Sequence, residues 1–128
     1  MTKPEQLRNR TKQFALRVVR LFQALPKSDE ARVIGRQLLR SGTSLGANYR
    51  AVCRTRSKKE FISKVSIVVE EADETVFWFE LLIEAGIVSD GKLASLLAEG
   101  NELLAIFGAS LRTARSGRGP RGNGPMAR

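Results

Sequence analysis

Apolar residues recur at alternating steps of four and three along four segments of this chain, a spacing that packs α-helices along narrow seams. The first seam reads Leu7, Thr11, Phe14, Val18, Leu21 and Leu25. The second reads Ile34, Leu38, Ser41, Leu45, Asn48 and Val52, and the third Phe61, Val65, Val68, Ala72, Thr75, Phe79 and Leu82. The fourth runs Leu93, Leu97, Gly100, Leu104, Phe107 and Leu111. No segment alternates with the period of two that a half-buried strand requires.

Local signals place the ends. Thr2 and Glu5 have capping-box spacing, with Pro4 suited to the first turn, and Pro26 stops the first helix after Leu25. Ser28 or Asp29 caps the second helix, Ser57 with Glu60 the third, and Ser89 or Asp90 the fourth. Gly86 suits the residue just past the end of the third. Helices this long with short connections must be antiparallel neighbours. The expected fold is all-α, an up-down-up-down antiparallel four-helix bundle over residues 1–115. Residues 116–128 are rich in Gly, Pro and Arg without apolar period and read as a flexible basic tail.

Composition narrows the chemistry. A chain of 128 residues fits one domain with a real core, and no apolar run approaches the roughly 20 residues that span a bilayer. The N-terminus has no apolar segment of the export type, and Cys53 is the only cysteine, so the expected location is cytoplasmic, away from the membrane. Histidine is absent, which removes the commonest general base, the Ser-His and Cys-His nucleophile pairs and most catalytic zinc sites. Cys53 reads as a small structural hydrophobe. The expectation is a protein that is not an enzyme and needs no cofactor or metal.

Charge is segregated. Residues 1–64 carry sixteen Lys/Arg against four Asp/Glu, a balance of +12. Residues 65–111 carry one Lys and nine acids, a balance of −8, and residues 112–128 add five arginines. Such asymmetry points to an anionic partner or to complementary faces that meet in an oligomer. On the second helix Arg32, Arg36, Arg40, Arg50 and Arg54 all fall at heptad positions away from the seam, with Arg56, Lys58 and Lys59 beyond. This strip suits phosphates, met through counterion release rather than base reading. A solvated face kept soluble by charge is the plainer alternative.

Two further patterns stand out. Gly35, Gly42 and Gly46 lie among small residues in a helix interior, where each glycine costs roughly 1 kcal/mol, a pattern that permits close approach of a neighbouring helix. The lysine and spacing of a phosphate-cradling loop are missing. On the third helix Ile62, Val69, Val76 and Ile83 repeat every seven residues beside the main seam, with Ile67, Trp78 and Leu81 further round. A lone bundle cannot bury apolar residues on every side, so Ile62, Val69, Val76, Trp78 and Ile83 are expected to form an oligomer interface. The acids of this helix, Glu70, Glu71, Asp73, Glu74, Glu80 and Glu84, would then oppose a basic face of the next subunit.

The stretch Gln37-Leu38-Leu39-Arg40-Ser41-Gly42-Thr43-Ser44-Leu45-Gly46-Ala47-Asn48 resembles a block of the bacterial four-helix bundle family, also called the 23S rRNA intervening-sequence protein family. Ser57-Lys58-Lys59-Glu60-Phe61-Ile62, followed by Glu70-Glu71-Ala72-Asp73-Glu74-Thr75 and Trp78-Phe79-Glu80-Leu81-Leu82, is similar to its second block. The resemblance spans roughly residues 5–115. It implies a barrel-like homopentamer, with members encoded in rRNA intervening sequences or serving as accessory factors of diversity-generating retroelements. The latter bind nucleic acid and a reverse transcriptase through a basic surface. The chain departs from the family at Tyr49-Arg50-Ala51-Val52-Cys53, where an acid is usual and Arg50 makes the helix more basic.

The leading expectation is a non-catalytic homo-oligomer that binds RNA or DNA through phosphates. Its expected contacts are Arg17, Arg20, Arg32, Arg36, Arg40, Arg50, Arg54, Lys58 and Lys59. The alternative is a protein-interaction scaffold whose charges serve self-assembly or partner docking alone.

Overall fold

The computed structural model describes residues 1–117 and shows four helices with no strand among them. They are α1 (Lys3–Ala24), α2 (Asp29–Val52), α3 (Lys58–Glu84) and α4 (Asp90–Arg115). The tail expectation falls on 116–128, of which 118–128 lie outside the described residues.

The ends follow from local chemistry. Thr2 Oγ1 accepts from the Glu5 amide at 3.2 Å while Glu5 Oε1 accepts from the Thr2 amide at 2.7 Å, closing the capping box of α1. Ser28 and Ser57 cap α2 and α3 through the amides of Ala31 and Glu60. The Glu60 carboxylate reaches one residue further back than a capping box requires and accepts from Arg56 N–H at 2.9 Å. Ser89 caps α4 without a side-chain hydrogen bond. Gly86, at φ +73°, ends α3. Its amide bonds the Ile83 carbonyl and that of Ile87 bonds Leu82, both at 3.0 Å, which satisfies carbonyls the helix leaves open.

The connections at 25–28, 53–57 and 85–89 are short, so each helix packs antiparallel on the next: α1 on α2, α2 on α3, α3 on α4. A shorter contact between α1 and α4 closes the bundle. Two aromatic pairs span its diagonals. Phe14 meets Phe79 edge-on with ring centroids 6.1 Å apart, and Tyr49 meets Phe107 at 5.1 Å. Burial pushes the Tyr49 phenol well above its ordinary range, with the neighbouring half-buried Cys53 adding to the effect. Ser41 and Thr75 join hydroxyls at 2.9 Å inside the core, fixing the register of α2 against α3.

The close approach expected from the glycines is made by α1. A β-carbon at Gly42 would lie 2.9 Å from both γ-methyls of Val18, and one at Gly46 would lie 3.3 Å from the Thr11 carbonyl oxygen. These small residues widen the buried stripe of α2 beyond its apolar seam. Ala31, Gly35 and Tyr49 are buried, whereas Ile34 and Asn48 are only half-buried. Asn48 donates to the Ser44 carbonyl of its own helix at 2.9 Å and so does not reach across the core. In α4 the buried leucines are Leu96 and Leu103 rather than Leu97 and Leu104. Adjacent leucines are equivalent by spacing, and contact with α3 decides between them.

Candidate nucleic-acid interface

The expected cations separate by what packs beside them. Arg20, Arg32, Arg36, Arg50, Arg54, Lys58 and Lys59 are exposed, and none joins an ion pair among the described residues. Arg40 lies in the middle of the strip on α2 but faces α3. The Ser41–Thr75 register sets its guanidinium against Glu74, with which it hydrogen-bonds, and 3.6 Å from Glu71. Glu74 also accepts from Trp78 Nε1 at 3.0 Å, and the Arg40 and Trp78 hydrogen bonds hold its carboxyl below the usual carboxylate range. Glu71 lacks a hydrogen bond at its buried Oε1, and burial raises its pKa despite Arg40. Arg40 stays half exposed, but its charge is offset by Glu74 and Glu71, which divides the strip into two groups of unpaired cations.

Arg17 is half-buried and turns towards α4, where its Nη2 donates to Ser95 Oγ at 2.9 Å. One turn-pair earlier, Arg10 makes the same choice. Its Nε and Nη2 bond Glu99 at 2.7 and 2.8 Å, and Nη2 also bonds Glu102. The Arg10 hydrogen bonds hold the Glu99 carboxyl below its ordinary range. The edge of α1 next to α4 is therefore largely neutralised.

The other edge of α1 is different. Between α1 and α2 runs an open groove whose walls carry Arg8 and Lys12 from α1 and Arg50 from α2, with Asn9 beside them. Its floor is Ala15, Gly46 and Ala47, so the bottom is backbone and methyl groups. None of the three cations forms an ion pair among the described residues. Glu5 stands at the lip, its carboxylate held by the Thr2 capping bonds. Sequence reading named Arg50 but missed Arg8 and Lys12. Their signal was the i, i+4 spacing on the flank of α1 that the glycines of α2 admit.

The apolar surplus of α3 is partly absorbed within one chain. Val76 is buried at 6% exposure and packs towards Gly100 of α4, so it belongs to the bundle core and not to an outer face. A glycine on α4 leaves the room that spacing alone does not reveal. Ile62, Val69, Trp78 and Ile83 are half-buried against the core. On α3 the large apolar side chain left exposed is Phe77, half exposed, edge-on to Trp78 at 4.9 Å and among the exposed acids Asp73, Glu80 and Glu84, while α1 and α2 expose Leu16 and Val33. It lies opposite the Thr75–Phe79 seam, where a seam-centred reading does not look. No helix among the described residues is long and apolar enough to cross a membrane.

Comparison with known proteins places the chain beside a family and a solved structure. The sequence pattern of the family described as 23S rRNA-intervening sequence protein matches residues 5–109. A crystal structure from Bacteroides thetaiotaomicron VPI-5482, described as a protein with unknown function from the S23 ribosomal protein family, superposes with a TM-score of 0.79. That chain is 32% identical, and the match covers 88% of the present chain and 100% of the other. No curated protein matches the chain.

Proposed function

Since the chain belongs to the 23S rRNA-intervening sequence protein family, we propose that it is a non-catalytic, homo-oligomeric accessory protein of the cytoplasm that binds RNA or DNA through phosphates. The observation that carries the reading is the row of unpaired cations across α1 and α2, set against an acidic α3. Arg8, Lys12, Arg20, Arg32, Arg36, Arg50, Arg54, Lys58 and Lys59, from α1 to the start of α3, are exposed and form no ion pair among the described residues. Such a surface recognises phosphates by counterion release and reads no bases. Half-exposed Phe77 beside Trp78 supports self-association, as pentamers in the arrangement the family resemblance implies, with a reverse transcriptase as a candidate protein partner.

A gel-shift titration with salt tests the nucleic-acid reading, and light scattering after size exclusion tests the assembly. Binding that weakens steeply as salt rises is expected; no binding at low salt, or a salt slope near zero, overturns the reading. The second reading, a protein-interaction scaffold, draws on the Arg40–Glu74 pair and the acid-rimmed aromatic face. It expects reversal of Arg36, Arg40 and Arg50 to Glu to break the assembly and leave nucleic-acid affinity alone.

A further inference from the structure

The groove between α1 and α2 differs from the rest of the basic surface in shape as well as charge. Another cleft that carries cations, with Lys27, Arg32 and Arg36, is walled by Phe22, Leu25 and Pro26. In the α1–α2 groove cations from two helices face one another across a floor that has almost no side chains. The floor exists because Gly46 lets the two backbones approach until a β-carbon would sit 3.3 Å from the Thr11 carbonyl oxygen. Arg8 and Lys12 stand one helical turn apart, at i and i+4, roughly 6 Å between β-carbons. That is close to the distance between successive phosphates along an extended strand. Arg50 meets the same line from the opposite wall, and Asn9 adds an amide donor. No aromatic side chain lines the groove, so it offers bases nothing to stack on.

The geometry points to this groove as the place where a single phosphodiester strand seats, held by Arg8, Lys12 and Arg50 and read without regard to base. The inference rests on the nucleic-acid reading above and narrows it from a face to a channel. Arg8, Lys12 and Arg50 contact consecutive phosphates, and the small floor lets the strand lie low enough for both walls to reach it. Arg32, Arg36 and Arg54 act at a distance, adding to the potential that draws the strand in.

Two triple variants with the same change in net charge separate these roles: Arg8→Gln/Lys12→Gln/Arg50→Gln in the groove, and Arg32→Gln/Arg36→Gln/Arg54→Gln outside it. Binding of oligouridylate is followed by fluorescence anisotropy across a salt series, with circular dichroism and light scattering showing that fold and assembly are kept. The groove triple is expected to lose on the order of tenfold in affinity and to flatten the log–log salt slope by about 2, as removal of three strand phosphate contacts requires. The outer triple should lose much less and keep most of the slope. In the unaltered protein, bound oligouridylate should shield Lys12, but not Lys27, from acetylation. Equal losses from both triples, or an unshielded Lys12, overturn the groove and leave a diffuse basic face. A groove triple whose assembly mass changes together with binding also overturns it, in favour of a subunit contact. If the unaltered protein does not bind at low salt, the nucleic-acid reading falls and this inference with it.

Discussion

Helix α1 has two edges of similar sequence character and opposite fate. Towards α4 its arginines are claimed: Arg10 by Glu99 and Glu102, Arg17 by Ser95. Towards α2 its cations, Arg8 and Lys12, line an open groove and form no salt bridge among the described residues, with Glu5 near Arg8 the one acid in the lining. The edges differ in what the neighbouring helix presents. α4 offers carboxylates at i and i+3, whereas α2 offers glycine, alanine and another arginine. Whether a cation serves the fold or a ligand is thus decided by the residue across the seam, and net charge is a poor guide to it.

The contrast can be broken at its tightest point. Gly42→Leu drives a branched side chain into Val18, whose γ-methyls are held stiffly and already sit 2.9 Å from the place of a β-carbon. A loss of about 3 kcal/mol is expected in urea unfolding, with the groove distorted as α1 moves away. A variant as stable as the parent would show that the two helices are not locked together at this contact.

The claimed edge is tested by Arg10→Met, which frees Glu99 but keeps the apolar stem. Roughly 1 kcal/mol should be lost near neutral pH, the upper end for a partly exposed pair, with little change in nucleic-acid affinity. Glu99 has a lowered folded pKa, so its contribution is present above its ordinary value of 4.5 and is lost as pH falls through the folded value. The gap between parent and variant, read from unfolding curves across that window, should therefore narrow on acidification. A gap that stays constant would exclude the ion pair as its source.

Glu71 behaves in the opposite sense. Burial raises its pKa, so the charged form costs stability that grows as pH rises through the folded value. Glu71→Gln is expected to be neutral or to add less than about 1 kcal/mol of stability at neutral pH, seen as an equal or higher melting temperature, since Arg40 keeps Glu74. A clear fall in melting temperature would mean that Arg40 needs both acids. The smallest effect on stability is expected from Phe77→Ser, within about 0.5 kcal/mol for a half-exposed side chain. Its readout is assembly mass by light scattering, which should fall if the aromatic face joins subunits.

How much of this was legible before the structure depends on the range of the physics involved. The caps at Thr2, Ser28 and Ser57, the stop at Pro26 and the turn at Gly86 are contests within four or five residues, and each helix ends where its own neighbours put it. The choice of Leu96 over Leu97, the burial of Val76 and the capture of Arg40 depend on the register of one helix against the next. Between α2 and α3 that register is marked by the Ser41–Thr75 contact, 34 residues apart in the chain, and between α3 and α4 by Val76 against Gly100, pairings that no periodicity encodes. The glycines lie between these cases. Their spacing announced a close neighbour, but only packing showed that the neighbour was α1 and that the closeness leaves a channel above it.

Consecutive packing has a consequence in time. Each helix docks on the one made just before it, and α1 with α2 carries the glycine–valine contact from the outset. Synthesis runs from the N-terminus, so both partners of this contact emerge before α3 and α4 do. Glu71, Glu74, Glu99 and Glu102 have not yet emerged when α1 and α2 can first meet. The nascent half-molecule is more cationic than the finished one, and it takes shape within reach of the polyanion that is making it.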